Sequence, residues 1–594
     1  MQTKSQLILD TECYANYFLA SFLNIATGNT RDFELHSDQS LDIATLRRIL
    51  NSYEIITFNG IGYDIPMLSL AMTGASNQAL KKASDAIIKN SLTPWQFEKQ
   101  FNVSLVLADH IDLMNVAPGV GSLKLYGGRM HFPTLQDLPI EPSASIAAEQ
   151  RQSIREYCHN DLKTTAALFK ELTPQVDLRR AMSAEYQQDL RSKSDAQIAE
   201  AVIRKQVADI TGFDTHKPEL DSSAVFRFKK PDFIYFQTQP LQSLLNTILN
   251  ADFYLSDAGK VIEPDALRTD IRIGQSTYRL GIGGLHSSEK STAHFADKNT
   301  LLIDRDVVSY YPSIILNCGF YPPQMGNAFQ TVYANIVERR LAAKRNGNNV
   351  VANALKITIN GSFGKFGSQY SRLFSPDLLI QTTVTGQLAL LMLIESLEFN
   401  GITVVSANTD GIVIKCPVSK TNELMDLVYA WESVTGFTTE ETRYSGLYSR
   451  DVNNYIALKD TGFKTKGAFA PVGLHKNPDG QITIDAAIAY LRNNIPISDT
   501  IHACRDITQF VKVRTVRNGA VYQNQYLGRV VRWYYGQGAT SAIHNRINGY
   551  KVPESDGAIP LQTLPTQFPD NVDYERYIAD ARAILTETGA FASC

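Results

Sequence analysis

The sequence predicts an α+β protein built from several domains. At 594 residues the chain is longer than a single hydrophobic core usually sustains. Short apolar runs of strand length that end in acids are spread through it, separated by long stretches with helical periodicity. The composition, 44% hydrophobic and 20% charged, is that of an ordinary globular protein.

The first strand is read at Leu7 to Leu9, which runs straight into Asp10-Thr11-Glu12. Strand alternation puts Asp10 and Glu12 on one face, where two carboxylates repel unless a cation lies between them. An exposed strand end with two solvated acids has the same pattern. A second apolar run, Ile55 to Phe58, leads into NGIGYD and ends at Asp64. The glycine-rich stretch Gly121 to Arg129 lacks the G-K-[ST] ending of a phosphate loop, and a plain loop is expected there. Ser153 to Leu172 reads as a helix with Tyr157 and Asp161 four apart on one face, and His159 as a bystander. Ser183 to Ile210 also has helical periodicity, and GIGGLH at Gly281 to His286 is a turn whose glycines allow close backbone approach.

The apolar run Leu301 to Ile303 enters DRDVVSYYPSII, Asp304 to Ile315, which reads as a buried strand delivering Asp306 to a floor and ended by Pro312. Asp304 lies two residues earlier and faces the same side. Two helices follow, Val332 to Arg345 and Val350 to about Phe366, with Asn346-Gly347-Asn348-Asn349 as the turn between them. Arg340 and Lys344 share a face of the first, and Lys356 lies in the second with Asn360 one turn beyond. These cations repel in an empty protein, and a triphosphate would satisfy them. A solvated helix face is the bland alternative. Leu378 to Phe399 reads as a core helix stopped by Asn400-Gly401. Asn408-Thr409-Asp410-Gly411 sits between the apolar runs Ile402 to Val405 and Ile412 to Ile414, a hairpin with an acid at its turn.

Charge bounds the partners. The net charge is −3, so a nucleic-acid surface has to be local. From Ile501 to Lys551 eight basic residues face the single acid Asp506, interleaved with aromatics, which suits contact with phosphates and stacked bases. From Val552 onward acids predominate. The six cysteines, at 13, 158, 318, 416, 504 and 594, form no C-x-x-C pair, which argues against structural zinc and a disulfide framework and fits a reducing cytosol. No stretch reaches about 18 consecutive apolar residues and the N-terminus has no signal-peptide pattern, so no membrane association is expected.

In order and spacing, DRDVVSYYPSII, KITINGSFG (Lys356 to Gly364) and NTDG resemble motifs A, B and C of family B DNA polymerases of bacteriophage type. Asp10, Glu12, Asp64, Tyr157 and Asp161 resemble the DEDDy set of 3′–5′ proofreading exonucleases. NYIALKDTGFKTKG, Asn454 to Gly467, partly matches elements that grip primer-template DNA: Tyr455, Lys466 and Gly467 are present, while Asn453 and Asn454 replace the usual cations. GIGGLH sits where the family carries Y-x-G-G, with Gly281 at the tyrosine position, which leaves Gly283 and Gly284 as DNA-binding candidates.

The resemblance implies a ribonuclease-H-like exonuclease domain (1–175), a connecting region with part of a palm (176–292), palm (293–327), short helical fingers (328–366), palm (367–445), and thumb with C-terminal tail (446–594). It implies template-directed DNA synthesis from a nucleic-acid primer, with proofreading, in phage replication in the cytoplasm of the infected bacterial host. The partners would be primer-template DNA, deoxynucleoside triphosphates and phage replication proteins. Two Mg²⁺ ions per site, replaceable by Mn²⁺, would be held by Asp306 and Asp410 in one site and by Asp10, Glu12 and Asp161 in the other. Tyr157 would orient the attacking water. Tyr311 would lie under the sugar; Arg340, Lys344, Lys356 and Asn360 would meet the nucleotide. Phe363 stands where a tyrosine is common. Asn408 replaces the first acid of the usual D-T-D, and Asp304 is a candidate to make good that loss. Protein-primed relatives insert elements between these motifs; here Asp306 and Lys356 are 50 apart and Lys356 and Asn408 are 52 apart, which leaves no room for them. A reverse transcriptase or RNA polymerase fits the exonuclease half poorly. The alternative of another class is a DNA-binding exonuclease or scaffold with a decayed palm, for which Asn408 is the main evidence.

Overall fold

The computed structural model describes residues 4–591; Cys594 and the first three residues of the N-terminus lie outside the described residues. The chain forms two compact units. One comprises Met1–Ser194, Val472–Asp485 and Ser498–Ile578, the other Asp195–Pro471, Ala486–Ile497 and Ala579–Cys594. The expected boundaries at 175 and 292 are not unit boundaries. Residues 446–594, expected as one thumb with its tail, divide between the two units.

The first unit is organised on a five-stranded sheet: β1 (Gln6–Cys13), β2 (Phe18–Asn24), β3 (Thr30–Leu35), β4 (Glu54–Thr57) and β5 (Asp109–Asp112), in the order β3-β2-β1-β4-β5. β1, β2 and β3 form an antiparallel meander, while β4 and β5 run parallel to β1. Alternation in β1 sends Leu7 and Leu9 to one core and Ile8 to another, so both faces are covered. Asp10 and Glu12 share the parity of Ile8 and face the helix Arg151–Glu171.

The basic segment after residue 501 builds a four-stranded sheet around the hairpin Lys512–Tyr522 and Gln525–Tyr535. Its turn residues Gln523 and Asn524 both have positive φ, as a tight two-residue hairpin requires. Val513 and Val530 pack on Leu125 and Leu135 of the same unit. Part of the segment's expected positive field is answered by the fold itself. Arg532 is fully buried and donates to the carbonyls of Phe132 (2.9 Å), Pro133 (3.1 Å) and Leu561 (2.8 Å); burial lowers its pKa to about 10. Lys512 and Arg514 are shared between Asp479 and Glu554, and Lys551 pairs with Asp556.

The second unit contains a seven-stranded antiparallel sheet with Thr300–Val307 between Thr439–Tyr444 and Gly411–Pro417, and Thr403–Asn408 next in order. Ile303 and Val307 point into the core made by the helix Pro376–Phe399, whereas Leu302 joins Tyr444, Leu447 and Ala457 on the opposite face. Pro376–Phe399 is long and apolar enough to cross a membrane, but most of it is buried within this core. The strand ends at Val307, not at Pro312: Ser309 takes a left-handed conformation and Tyr310–Asn317 is already helix, with the proline in its first turn. Gly326–Arg345 and Asn349–Phe366 form the expected helical hairpin, packed with a third helix, Asp195–Thr211. The helical stretch read at Ser183 to Ile210 is broken, because Gln187 adopts a left-handed conformation after Thr173–Tyr186.

Candidate active sites

In the first unit the side-chain oxygens of Asp10, Glu12 and Asp161 lie within 4.8 Å of one another. Asp64 begins the helix Asp64–Ala71 and stands one step back, accepting from the Thr11 hydroxyl at 2.7 Å. Burial pushes all four acids upward; repulsion from the others of the set adds to the rise at Asp10 and Glu12, while Asp112 adds to it at Asp64 and Asp137 at Asp161. Asp10 lies well above the usual carboxylate range, Glu12 is raised to about 8, Asp64 to about 7 and Asp161 to about 6. The Cys158 thiol donates to Asp10 at 3.3 Å. Tyr157 is buried, and its hydroxyl engages the Asp161 carboxyl. His159 turns away to Asp32 on β3, at 2.9 Å.

Crowded buried carboxylates of this kind fit a divalent cation, which supplies the charge that otherwise has to come from protons. A pH dependence follows. In metal-free protein these acids have folded pKa values above their unfolded ones, so stability is greatest below about pH 4 and falls as pH rises, through the ionisation of Asp161, Asp64 and Glu12 near 6, 7 and 8. Added Mg²⁺ should therefore raise the melting temperature more at pH 8 than at pH 6. Thermal unfolding of wild type and of D10N/E12Q checks this; an equal Mg²⁺ effect in the two proteins contradicts it.

Two residues of this site escape a reading of the sequence. Gly121 to Arg129 is not a loop: Leu123–Arg129 is a helix capped by Ser122. Its Lys124 lies 4.8 Å from the Tyr157 ring centroid and pairs with Asp137 at 2.8 Å, and its charge opposes the rise in Glu12 and Asp161. Asp112, at the end of β5, accepts from the backbone amides of Asn59 (2.8 Å) and Ile61 (2.9 Å) and so fixes the turn that leads to Asp64. The Ser122 cap was a signal for the first, and the strand-ending acid for the second.

In the second unit Asp304, Asp306, Asn408, Asp410, Lys464 and Lys466 line one cavity of about 270 Å³. Asp306 lies opposite Gly411 in register, and a Cβ at Gly411 would meet the Asp306 carboxylate at 2.1 Å and have to displace it. Asp410 lies in the two-residue turn between Asn408 and Gly411, where Thr409 has positive φ; the Val307 amide donates to its carbonyl at 2.8 Å. Burial raises both acids, and Asp304 adds to the rise at Asp306. These two carboxylates also suit a divalent cation.

Asn408 is tied into the fold. Its amide donates to the Val452 carbonyl at 2.8 Å and to Asn453 Oδ1 at 3.2 Å. A carboxylate there would face two oxygens. Asn408→Asp is expected to destabilise the protein by about 1–3 kcal/mol, measured by urea unfolding; unchanged or increased stability would refute it.

Tyr311 is held from two sides. Its hydroxyl donates to the Gly283 carbonyl at 2.6 Å and its ring stacks on Phe363 with centroids 4.2 Å apart. Gly284 packs against Thr409, where a Cβ would come within 2.9 Å, so its small size serves the protein's own packing. Arg340 reaches Ser309 at 2.9 Å. Lys344 pairs at 3.3 Å with Glu440, whose register partner is Asp306. Lys356 and Asn360 are exposed on the second hairpin helix. The Lys466 amide donates to the Tyr455 carbonyl at 3.0 Å. Gly467 has positive φ and no room for a Cβ beside the Asn453 carbonyl. Asn454, in a position where a cation was expected, bonds Asp451 and the Ala468 amide.

The chain is similar to the family B DNA polymerase from the hyperthermophilic archaeon Pyrobaculum calidifontis. Sequence identity is 14% and the TM-score 0.41, with 98% of this chain and 78% of that chain covered. No protein-family pattern and no curated protein matches the sequence.

Proposed function

We propose that this protein is a DNA-directed DNA polymerase of the family B kind with a 3′–5′ exonuclease in the same chain, serving phage DNA replication in an infected bacterial cell. The observation that carries the reading is the pair of carboxylate sites, Asp10, Glu12 and Asp161 in one unit and Asp306 with Asp410 in the other. Both suit phosphoryl transfer, in which positioned charge does most of the catalytic work.

Mg²⁺ held by Asp306 and Asp410 would supply charge to activate a primer 3′-oxygen and to neutralise departing pyrophosphate. The chain's own residues do the rest. Tyr311 floors the sugar, its ring fixed by Gly283 and Phe363. Arg340, Lys344 and Lys356 present cations to a triphosphate from the helical hairpin, with Lys344 leaving Glu440 to do so. Tyr455, Lys466 and Gly467 meet the primer strand. In the other site Asp10, Glu12 and Asp161 would hold the ions, and Tyr157, its ring beneath Lys124, orients a water at the terminal phosphodiester.

The test is a 5′-labelled DNA primer annealed to a longer template and incubated with Mg²⁺. Extension with deoxynucleotides and shortening without them support the proposal. An unchanged primer under both conditions refutes it.

A further inference from the structure

Asp304 has the position of an additional metal ligand, but its carboxylate is already engaged. It is 5% exposed, and its Oδ2 accepts from the Tyr444 hydroxyl and from Lys464 Nζ at 3.2 Å. The same ammonium lies 3.6 Å from Asp306 Oδ2. Lys464 comes from the strand Phe463–Thr465 and is paired in register with Ala457, which places it on the face that carries Tyr455.

We propose that Lys464 and Asp304 form a charge-neutral positioning pair that sets the divalent-ion affinity of the Asp306–Asp410 site, with Asp304 anchoring Lys464 instead of ligating the ion. The proposal rests on reading Asp306 and Asp410 as a metal site. An ammonium 3.6 Å from one of its acids opposes a divalent cation, and the adjacent Asp304 charge offsets that opposition. Three consequences have different signs. Removing the lysine charge leaves Asp304 adding to the attraction, so the ion binds more tightly. Removing the Asp304 charge leaves the ammonium unopposed, so the ion binds more weakly. Removing both returns the affinity to near its starting value. A ligating Asp304 gives another pattern, because its loss weakens binding whether or not Lys464 is present.

The experiment measures Mn²⁺ binding by electron paramagnetic resonance in the full chain without DNA. All proteins carry D10N/E12Q, which removes the first unit's site. K464M is expected to tighten Mn²⁺ binding and D304N to weaken it, each by about tenfold, with D304N/K464M within about threefold of the background. Non-additivity of this kind is the signature of a coupled pair. K464Q, which keeps a polar end near Asp304, serves in place of K464M if that variant does not fold. A double variant as weak as D304N, or K464M and D304N shifting in the same direction, overturns the proposal. Absence of any Mn²⁺ binding that depends on Asp306 and Asp410 also overturns it. Primer extension by the same proteins distinguishes the two levels: extension with the wrong pattern of affinities sinks only the pair, whereas no binding and no extension sinks the polymerase reading as well.

Discussion

Asp10→Ala with Glu12→Ala is expected to abolish primer shortening while leaving extension near the wild-type rate, and Asp306→Ala or Asp410→Ala to do the reverse. Each loss should be at least about 1000-fold, because a site built to position charge keeps little activity without its carboxylates. Independence follows from the structure: the first pair is on β1 with its partner Asp161 on the helix Arg151–Glu171, whereas Asp306 is on a strand and Asp410 in a hairpin turn of the other unit. Gel analysis of labelled primers with the purified variants gives both rates. A folded D10A/E12A protein that cannot extend a primer would show that the roles are misassigned.

Tyr311→Ala is expected to lower discrimination against ribonucleotides by about 100-fold. The aromatic ring is fixed from one side by Phe363 and at its hydroxyl by Gly283, so it has little freedom to move away from a 2′-hydroxyl. Selectivity by exclusion needs that rigidity. Tyr311→Phe keeps the ring and its stacking and loses only the bond to Gly283, so its effect should be smaller. The check is the ratio of kcat/KM for a deoxynucleotide and its ribonucleotide opposite one template base. A ratio unchanged in Tyr311→Ala would remove the residue from the sugar site.

Some of this was legible in the sequence and some was not, for physical reasons. Period-two alternation placed Asp10 with Glu12 and Asp304 with Asp306 on common faces, because the side-chain direction in a strand follows from backbone geometry alone. The hairpin at Asn408 to Gly411 and the two-helix hairpin were also readable, since Asn-Gly turns and apolar periodicity are local signals. Tertiary pairing was not. Lys464 and Lys466 have the same sequence character, yet the register of Phe463–Thr465 brings Lys464 to Asp304 and Asp306. Charge counting failed in the segment after residue 501 for the same reason: Arg532 answers buried carbonyls, and Lys512 answers acids at 479 and 554 that are far away in sequence. Lys124 was hidden by two adjacent glycines that suggested a loop. In the fold Gly127 and Gly128 let the helix pack closely, with a Cβ at Gly128 only 2.8 Å from Val513.

One chain is proposed to carry both a synthetic and a degradative phosphoryl-transfer site. The most direct measurement follows a 5′-labelled primer with a mismatched 3′ terminus, annealed to template and mixed with wild-type protein, Mg²⁺ and all four deoxynucleotides. The labelled strand is expected first to shorten past the mismatch and then to lengthen to the end of the template. A strand that is degraded without regrowth, or extended directly from the mismatch with no shortening, would contradict it.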